Sequence, residues 1–225
     1  MRIFVDRTEA GQALAQRVVE KRYGDPVVLA LPRGGLPVAA EVARALGAPL
    51  DVLLVRKIGL PSQPELAVGA VVDGETPEVV VNEELRFLVD RDRKAFDALI
   101  AEELREIERR KALYLKGKPS LSLTGKTAIV IDDGLATGAT ARAALKSLRK
   151  RGSAKVVLAV PVAPPDTLAA IRPDCDEVVC LWAPTEFYAV GQFYRDFPQL
   201  DDEDVKRYLD AFSTPAGKEP PPEKG

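Results

Sequence analysis

The sequence predicts an α/β fold, a parallel β-sheet with helices on both faces. Three observations support it: runs of consecutive apolar residues typical of strands buried on both faces, amphipathic segments between them, and Gly or Pro near most of the junctions. The chain has 225 residues, of which 46% are hydrophobic and 29% charged, a balance typical of globular domains. We therefore expect one domain over residues 1–212.

The first half of the chain has the pattern of a β-loop-α-β unit. A helical spacing of apolar residues comes first, and two continuous apolar runs follow, separated by a second helical segment. Gly47 is placed to end that second helix. The predicted elements are a helix over 11–23, a strand over 27–31, a helix over 38–46 and a strand over 50–55 that ends at Arg56 and Lys57.

Residues 58–120 are predicted to be an insertion in this pattern, a flap followed by a helix. Two short strand candidates flank the turn residues Asp73, Gly74 and Glu75 and predict a hairpin or flap. Charges of both signs then interleave with one apolar stripe, which predicts a long amphipathic helix that could break near Asp90. The strand candidates cover residues 67–72 and 79–81, and the helix covers 83–115.

The alternation of strands and helices resumes after Gly125. The last 13 residues, 213–225, are rich in Pro and carry no core residues, so they predict a disordered tail. The predicted elements of this half are a strand over 127–131, a helix from the loop 132–140 to Lys150, a strand over 156–160, a short helix from Pro164, a strand over 177–182 and a closing helix over 202–212 capped by Asp201 or Asp202.

The composition excludes several kinds of chemistry. The sequence has no histidine, which excludes Ser-His-Asp triads, His-ligated zinc and His proton shuttles. Its two cysteines, Cys175 and Cys180, are too few for a disulfide framework. A net charge of −2 argues against binding nucleic acid mainly through phosphate contacts. No segment approaches the ~18 apolar residues that a membrane span needs, so we expect a cytoplasmic protein with no membrane partner.

The most informative segment is residues 128–140, an apolar strand that leads into two carboxylates and a small, hydroxyl-rich turn. Residues 137–140, Thr-Gly-Ala-Thr, would place unpaired backbone N–H groups and two hydroxyls at a helix N-terminus, which suits a phosphate monoester. Asp132 and Asp133 would lie at the carboxyl end of a parallel strand, where carboxylates can bind ribose hydroxyls or hydrated Mg²⁺. The segment therefore predicts a sugar-phosphate site.

This segment resembles the 5-phosphoribosyl-1-pyrophosphate (PRPP) binding motif of the type I phosphoribosyltransferases, an apolar strand, two acidic residues and a stretch that ends Thr-Gly-x-Thr. Walker A and G-x-G-x-x-G patterns are absent. The resemblance implies a type I phosphoribosyltransferase-like fold with a small hood over residues 183–200. It makes Asp132 and Asp133 catalytic residues that hold Mg²⁺ mostly through water. It assigns the 5′-phosphate of PRPP to Ala136, Thr137, Gly138, Ala139 and Thr140.

Two further segments stand where that family binds pyrophosphate. Gly34 and Gly35 follow the first strand and permit a strained backbone whose amides face an anion, while Arg33 adds a fork of donors. Lys57 corresponds to the basic residue that reaches pyrophosphate at the end of the next strand. A turn with a solvated arginine and a solvated strand end explain either segment alone. The resemblance implies a pyrophosphate site of Arg33, Gly34, Gly35 and Lys57, with Lys57 also catalytic.

Residues 186–197 resemble the hood of the 6-oxopurine phosphoribosyltransferases, where aromatic planes stack on the base. The resemblance implies base contacts from Phe187, Tyr188, Val190 and Asp196, with Phe187 or Tyr188 stacking. A role of most of these rings in the core or in a subunit interface explains them equally well.

Two departures concern the base itself. Ala136 stands where 6-oxopurine enzymes commonly have an acidic residue, and no lysine follows the strand 156–160 to bind a 6-oxo group. Ala136 is closer to the adenine and orotate subfamilies, so the base need not be hypoxanthine or guanine.

The resemblance implies a transferase of nucleotide salvage, usually a homodimer, that passes 5-phosphoribosyl from PRPP to a nitrogenous base, with a purine favoured over a pyrimidine, and releases pyrophosphate. The alternative is a catalytically weak regulator of the same fold that senses PRPP or a nucleotide and acts on RNA or a partner. Its support is two basic stretches, 105–111 and 146–151, which solvated helix faces explain more simply. An unrelated nucleotide-binding domain would need all of these motifs to coincide.

Overall fold

The computed structural model describes residues 3–60, 63–74, 76–115 and 121–213. Glu75 of the predicted turn and residues 214–225 of the predicted tail lie outside them. In chain order the main elements are α1 (Arg7–Val19), β1 (Pro26–Ala30), α2 (Gly35–Leu46), β2 (Leu50–Val52), β3 (Val55–Leu60), β4 (Gln63–Val72), β5 (Glu78–Val81), α3 (Arg86–Arg91), α4 (Arg93–Leu115), β6 (Thr127–Ile131), α5 (Ala139–Lys150), β7 (Lys155–Val162), α6 (Pro165–Ile171), β8 (Glu177–Trp182) and α7 (Asp202–Ser213).

Five of the strands form a parallel sheet in the order β2-β1-β6-β7-β8. Both of its faces are buried, because alternate residues of each inner strand pack on opposite layers of helices. In β1, Val28 and Ala30 join the apolar core under α1 and α2, while Val27 and Leu29 join the core under α5 and α6. The predicted fold class, a parallel sheet with helices on both faces, is confirmed.

The other three strands form a separate antiparallel sheet in the order β3-β4-β5. The predicted hairpin is confirmed, but the predicted strand over 50–55 is wrong in its second half. The parallel strand ends at Val52, and Arg56 and Lys57 lie inside β3. The buried carboxylate of Asp73 accepts a hydrogen bond from the backbone N–H of Leu54 (2.9 Å), which fixes the chain as it leaves one sheet for the other.

Two helix boundaries follow from aspartate side chains. The long amphipathic segment divides into α3 and α4 at Asp92, whose Oδ1 accepts a hydrogen bond from the N–H of Ala95 (3.0 Å). Asp201 rather than Asp202 caps α7, since its Oδ1 accepts from the N–H of Asp204 (2.9 Å). Within the described residues, no helix combines the length and the apolar character that crossing a membrane requires.

Candidate active site

The loop from β6 to α5 lies at the carboxyl end of the parallel sheet and is fastened on both sides. The N–H of Leu135 donates to the carbonyl of Val162 (3.0 Å), and the hydroxyl of Thr167 donates to the carbonyl of Ala136 (2.6 Å). Gly138, the residue before α5, has a left-handed backbone with φ +69°, which favours glycine. Thr137 remains exposed. The first turn of α5 is therefore presented at this edge of the sheet, as the sequence predicts.

The loop after β1 packs directly on the end of β6. A Cβ added to Gly34 would lie 2.1 Å from Oδ2 of Asp133, and one added to Gly35 would lie 2.6 Å from the carbonyl oxygen of Ile131. The backbone of Gly34 has φ −61° and ψ −36°, so the strained backbone predicted there is not what requires glycine. Close approach of the two loops requires it. Arg33 precedes this contact and is exposed to solvent.

The two adjacent carboxyls of the loop have different surroundings. Asp133 is buried, and its Oδ2 accepts a hydrogen bond from Nε of Arg7 (2.8 Å). Asp132 is half-buried, and its Oδ1 accepts from the backbone N–H of Asp133 (2.9 Å). Burial raises the pKa of both carboxyls. The neighbouring Asp133 raises the pKa of Asp132 further, whereas Arg7 opposes the rise at Asp133.

Arg56 and Lys57 have different neighbours, as strand alternation requires. Nε of Arg56 lies 2.7 Å from Oε2 of Glu103 on α4. Lys57 is exposed and lines a cavity of about 230 Å³ together with Ala139 and Arg142 of α5. The structure thus brings Lys57 beside the first turns of α5, from within a strand of the second sheet rather than from the end of a parallel strand.

The hood segment, residues 183–200, touches the loop from β6 to α5 through Val190, one of its predicted base contacts. Cγ1 of Val190 would lie 2.7 Å from a Cβ added to Gly134. Phe187 is half-buried, with its ring centroid 5.0 Å from that of Phe193. Tyr188 is 89% exposed. The Phe187 ring therefore packs against the protein, whereas the Tyr188 ring lies in solvent.

The remaining hood residues divide between the core and the surface. The backbone N–H of Asp196 donates to the carbonyl of Val5 (2.9 Å), and Asp196 itself is exposed. Phe193 and Tyr194 are buried, so these two rings belong to the core, as the simpler explanation has it.

Sequence reasoning missed Arg7, which the structure places in contact with the acidic pair. No local motif could reveal it, because its partner lies 126 positions away. One signal was present: Arg7 occupies the buried face of α1 together with Ala10, Leu14 and Val18. A charged residue in an apolar stripe indicates a buried partner.

Two adjacent carboxyls are the donors that this edge of the sheet offers to Mg²⁺. Asp132 and Asp133 supply two adjacent carboxyls, and no group of three or more potential ligands from Asp, Glu, His or Cys occurs in the part of the chain that the structure describes. Mg²⁺ is usually held by one or two carboxylates, water and substrate phosphates rather than by a protein cage. The residues present fit an ion of that kind.

Comparison with known proteins agrees with this geometry. A family model described as "Phosphoribosyl transferase domain" matches residues 6–198. The chain therefore belongs to the phosphoribosyltransferase family, and its resemblance to the type I enzymes is confirmed.

Individual relatives extend this result. Two Mycobacterium tuberculosis proteins, from strains CDC 1551 and H37Rv and both named "Putative phosphoribosyl transferase", are 49% identical over 210 residues, 93% of this chain and 47% of each relative. The chain thus spans about half the length of these curated relatives. The crystal structure of TT1426 from Thermus thermophilus matches with a TM-score of 0.83 and 41% identity, covering 94% of this chain and 99% of that one. A Neisseria gonorrhoeae protein solved with bound ppGpp shares the fold at 17% identity and a TM-score of 0.51, over 94% and 97% of the two chains.

Proposed function

We propose that the protein transfers the 5-phosphoribosyl group of PRPP to a nitrogenous base and releases pyrophosphate. The observation that carries the proposal is the packing of Gly34 and Gly35 against Asp132 and Asp133, which joins the pyrophosphate loop to the sugar-phosphate loop. In the reaction the bond between ribose C1 and pyrophosphate breaks and its electron pair leaves with pyrophosphate. The lone pair of a ring nitrogen forms the new bond to C1, and the proton that the base loses passes to the released pyrophosphate or to solvent.

The loop after β6 binds the phosphoribosyl part of PRPP in this proposal. The amides and hydroxyls of residues 136–140 bind the 5′-phosphate, helped by the dipole of α5. The acidic pair, Asp132 and Asp133, is the source of the carboxyl that binds the ribose hydroxyls and a hydrated metal ion. Mg²⁺, when bound with PRPP, supplies positive charge to the pyrophosphate oxygens.

Cationic and amide donors bind the leaving group. Arg33 and the amides of the loop after β1 bind pyrophosphate and stabilise the negative charge that it gains as the bond breaks. Lys57 reaches the same ligand from the second sheet.

The hood binds the base through Val190, Asp196 and one of the rings of Phe187 and Tyr188. The support for a purine over a pyrimidine is the similarity of this segment to the purine hood.

The second candidate function is a regulator of the same fold. The ion pairs on the surface argue against a regulator that binds RNA. In the stretch 105–111, Arg109 and Arg110 pair with Glu106 one helical turn away. In the stretch 146–151, Arg149 pairs with Asp176. These cations are engaged within the chain, which agrees with solvated helix faces. A regulator that binds PRPP or ppGpp without turnover is left as the rival.

The test is a calorimetric titration with Mg²⁺ and PRPP, with ppGpp as a competitor, followed by an assay of pyrophosphate release with a panel of purine and pyrimidine bases. We expect binding, base-dependent release, and a reduction of both in Asp132→Asn. The matched control is Asp166→Asn, which changes an exposed aspartate of α6. Binding without release from any base would favour the regulator, and absence of binding would overturn both.

A further inference from the structure

The side chain of Arg7 makes three contacts although it is almost entirely removed from solvent. Its Nε donates to Oδ2 of Asp133 (2.8 Å), and its Nη1 donates to the carbonyl of Pro198 (2.8 Å). Its guanidinium carbon lies 3.7 Å from the centre of the Phe197 ring. The side chains of Arg7 and Asp133 are 9% and 12% exposed. One cation thus joins the acidic pair to the hood segment.

A second set of contacts joins the same two segments. The hydroxyl of Tyr194 donates to the backbone carbonyl of Asp133 (2.5 Å). The Tyr194 ring stacks on Phe197 with centroids 5.0 Å apart. Beside them, Phe4 exchanges backbone hydrogen bonds with Phe193 and Arg195, each 2.8 Å long. The hood is therefore fastened to the acidic pair and to the N-terminal segment at one place.

These contacts occupy the carboxyl of Asp133 but not that of Asp132. Oδ2 of Asp133 is occupied by Arg7 and is closed on another side by the backbone of Gly34. Removing one partner of a buried ion pair leaves an uncompensated charge and is strongly destabilising. Asp132 is the more exposed member of the pair and receives no hydrogen bond from Arg7.

We propose that Arg7 is a positioning residue that fastens the hood to the acidic pair and commits Asp133 to this anchor, so that Asp132 is the carboxyl that meets the ligand. The division of roles rests on the proposed function, since the ligand in question is PRPP. The fastening of the hood does not depend on it. Arg7 touches no reacting atom and acts through Asp133 and through the segment 194–198.

The only tryptophan of the sequence provides a direct readout of hood packing. The Trp182 ring packs edge-on against Phe193, with centroids 5.0 Å apart. Loosening of the hood exposes this half-buried indole and moves its emission to longer wavelength. A variant that merely lowers stability leaves the emission of the folded protein unchanged.

The experiment compares Arg7→Met, Asp133→Asn, their double variant and Asp132→Asn. For the first two we expect a lower urea midpoint and a red shift of Trp182 emission, and for the double variant a midpoint loss smaller than the sum of the single losses. Asp132→Asn keeps the midpoint and the emission but weakens binding of PRPP with Mg²⁺ by about tenfold or more. The loss of PRPP affinity in Asp133→Asn is several-fold smaller than the loss in Asp132→Asn. Arg17→Met, an exposed arginine on the same helix, is the control.

Two results would overturn the inference. One is unchanged emission and midpoint in Arg7→Met. The other is a loss of PRPP affinity in Asp133→Asn as large as that in Asp132→Asn, with Trp182 emission unmoved. If the wild-type protein binds no PRPP, the proposed function fails, while the emission and midpoint of the Arg7 and Asp133 variants still decide whether the hood is fastened as inferred.

Discussion

The carboxyl end of the parallel sheet and the inserted region of β3 to α4 use charge differently. At the sheet end, buried contacts such as Arg7 with Asp133 join segments that are more than 100 residues apart. On α4, most charges pair with neighbours three or four positions away, as Glu106 does with Arg109 and Arg110. Such pairs within one helix add little and fix no distant geometry. The difference indicates that long-range contacts hold the sheet end in a fixed geometry, whereas most charges of α4 act within their own helix.

The largest effect is expected where the two loops of the sheet end touch. In Gly34→Ala the new Cβ would lie 2.1 Å from Oδ2 of Asp133, so the loop or the carboxylate must move by about 1 Å. A misplacement of about 1 Å can lower the rate of a reaction by about 100-fold. We expect a loss approaching that size in the affinity for PRPP with Mg²⁺, measured by calorimetry.

The control for this substitution is Gly24→Ala. A Cβ there has no atom within 4 Å, so affinity and folding should both be unchanged. Wild-type affinity in a folded Gly34→Ala protein would show that the contact between the loops does not shape the site.

The sheet end is also where sequence reasoning succeeded best and where its limit is clearest. The apolar runs, the acidic pair and the Thr-Gly-Ala-Thr turn are local patterns, so the strands and the loop of residues 132–140 were predictable. The role of Gly34 was not, since a close approach depends on a chain segment about 100 residues away. The role of Arg7 was not predictable for the same reason, because its partner Asp133 lies 126 positions away. Lys57 was predicted at a strand end because periodicity alone could not show that the apolar run leaves one sheet for another at Leu53.

Asp73 is a buried charged residue of the insertion, as Asp133 is at the sheet end. Its side chain accepts a hydrogen bond from the backbone N–H of Leu54. Its pKa is raised to about 6, chiefly by burial, with Arg151 opposing the rise. The folded protein therefore binds this proton more tightly than the unfolded chain does. The stability that this provides is complete below the ordinary aspartate pKa and is lost as the pH rises through about 6.

Asp73→Asn removes this titration and keeps an oxygen for the N–H of Leu54. We expect the free energy of unfolding of the wild type, relative to Asp73→Asn, to fall by roughly 2 to 3 kcal/mol between pH 4 and pH 7. Urea unfolding at several pH values measures it. The acidic pair at residues 132 and 133 titrates in both proteins, so its contribution cancels in the difference. A difference that does not vary with pH would contradict the prediction.

Lys57 tests whether the insertion takes part in the reaction at all. If its ammonium group binds pyrophosphate, Lys57→Gln loses one charge-assisted hydrogen bond, worth about tenfold or somewhat more in the rate of pyrophosphate release. The fold should be unaffected, because Lys57 is exposed. Steady-state kinetics with the base that gives the fastest release measures the loss. An unchanged rate would show that Lys57 takes no part in the reaction.

The smallest effect is expected one residue earlier, at Arg56, which makes Arg56→Gln the matched control. Arg56 pairs with Glu103 of α4 at 2.7 Å, with side-chain exposures of 36% and 20%. An ion pair of this kind contributes about 0 to 1 kcal/mol, so we expect a slightly lower urea midpoint and an unchanged rate of pyrophosphate release. Because the two substitutions remove the same charge from adjacent positions, a general loss of positive potential would slow both variants equally. A rate reduced in Lys57→Gln alone would place the effect at the cavity beside α5.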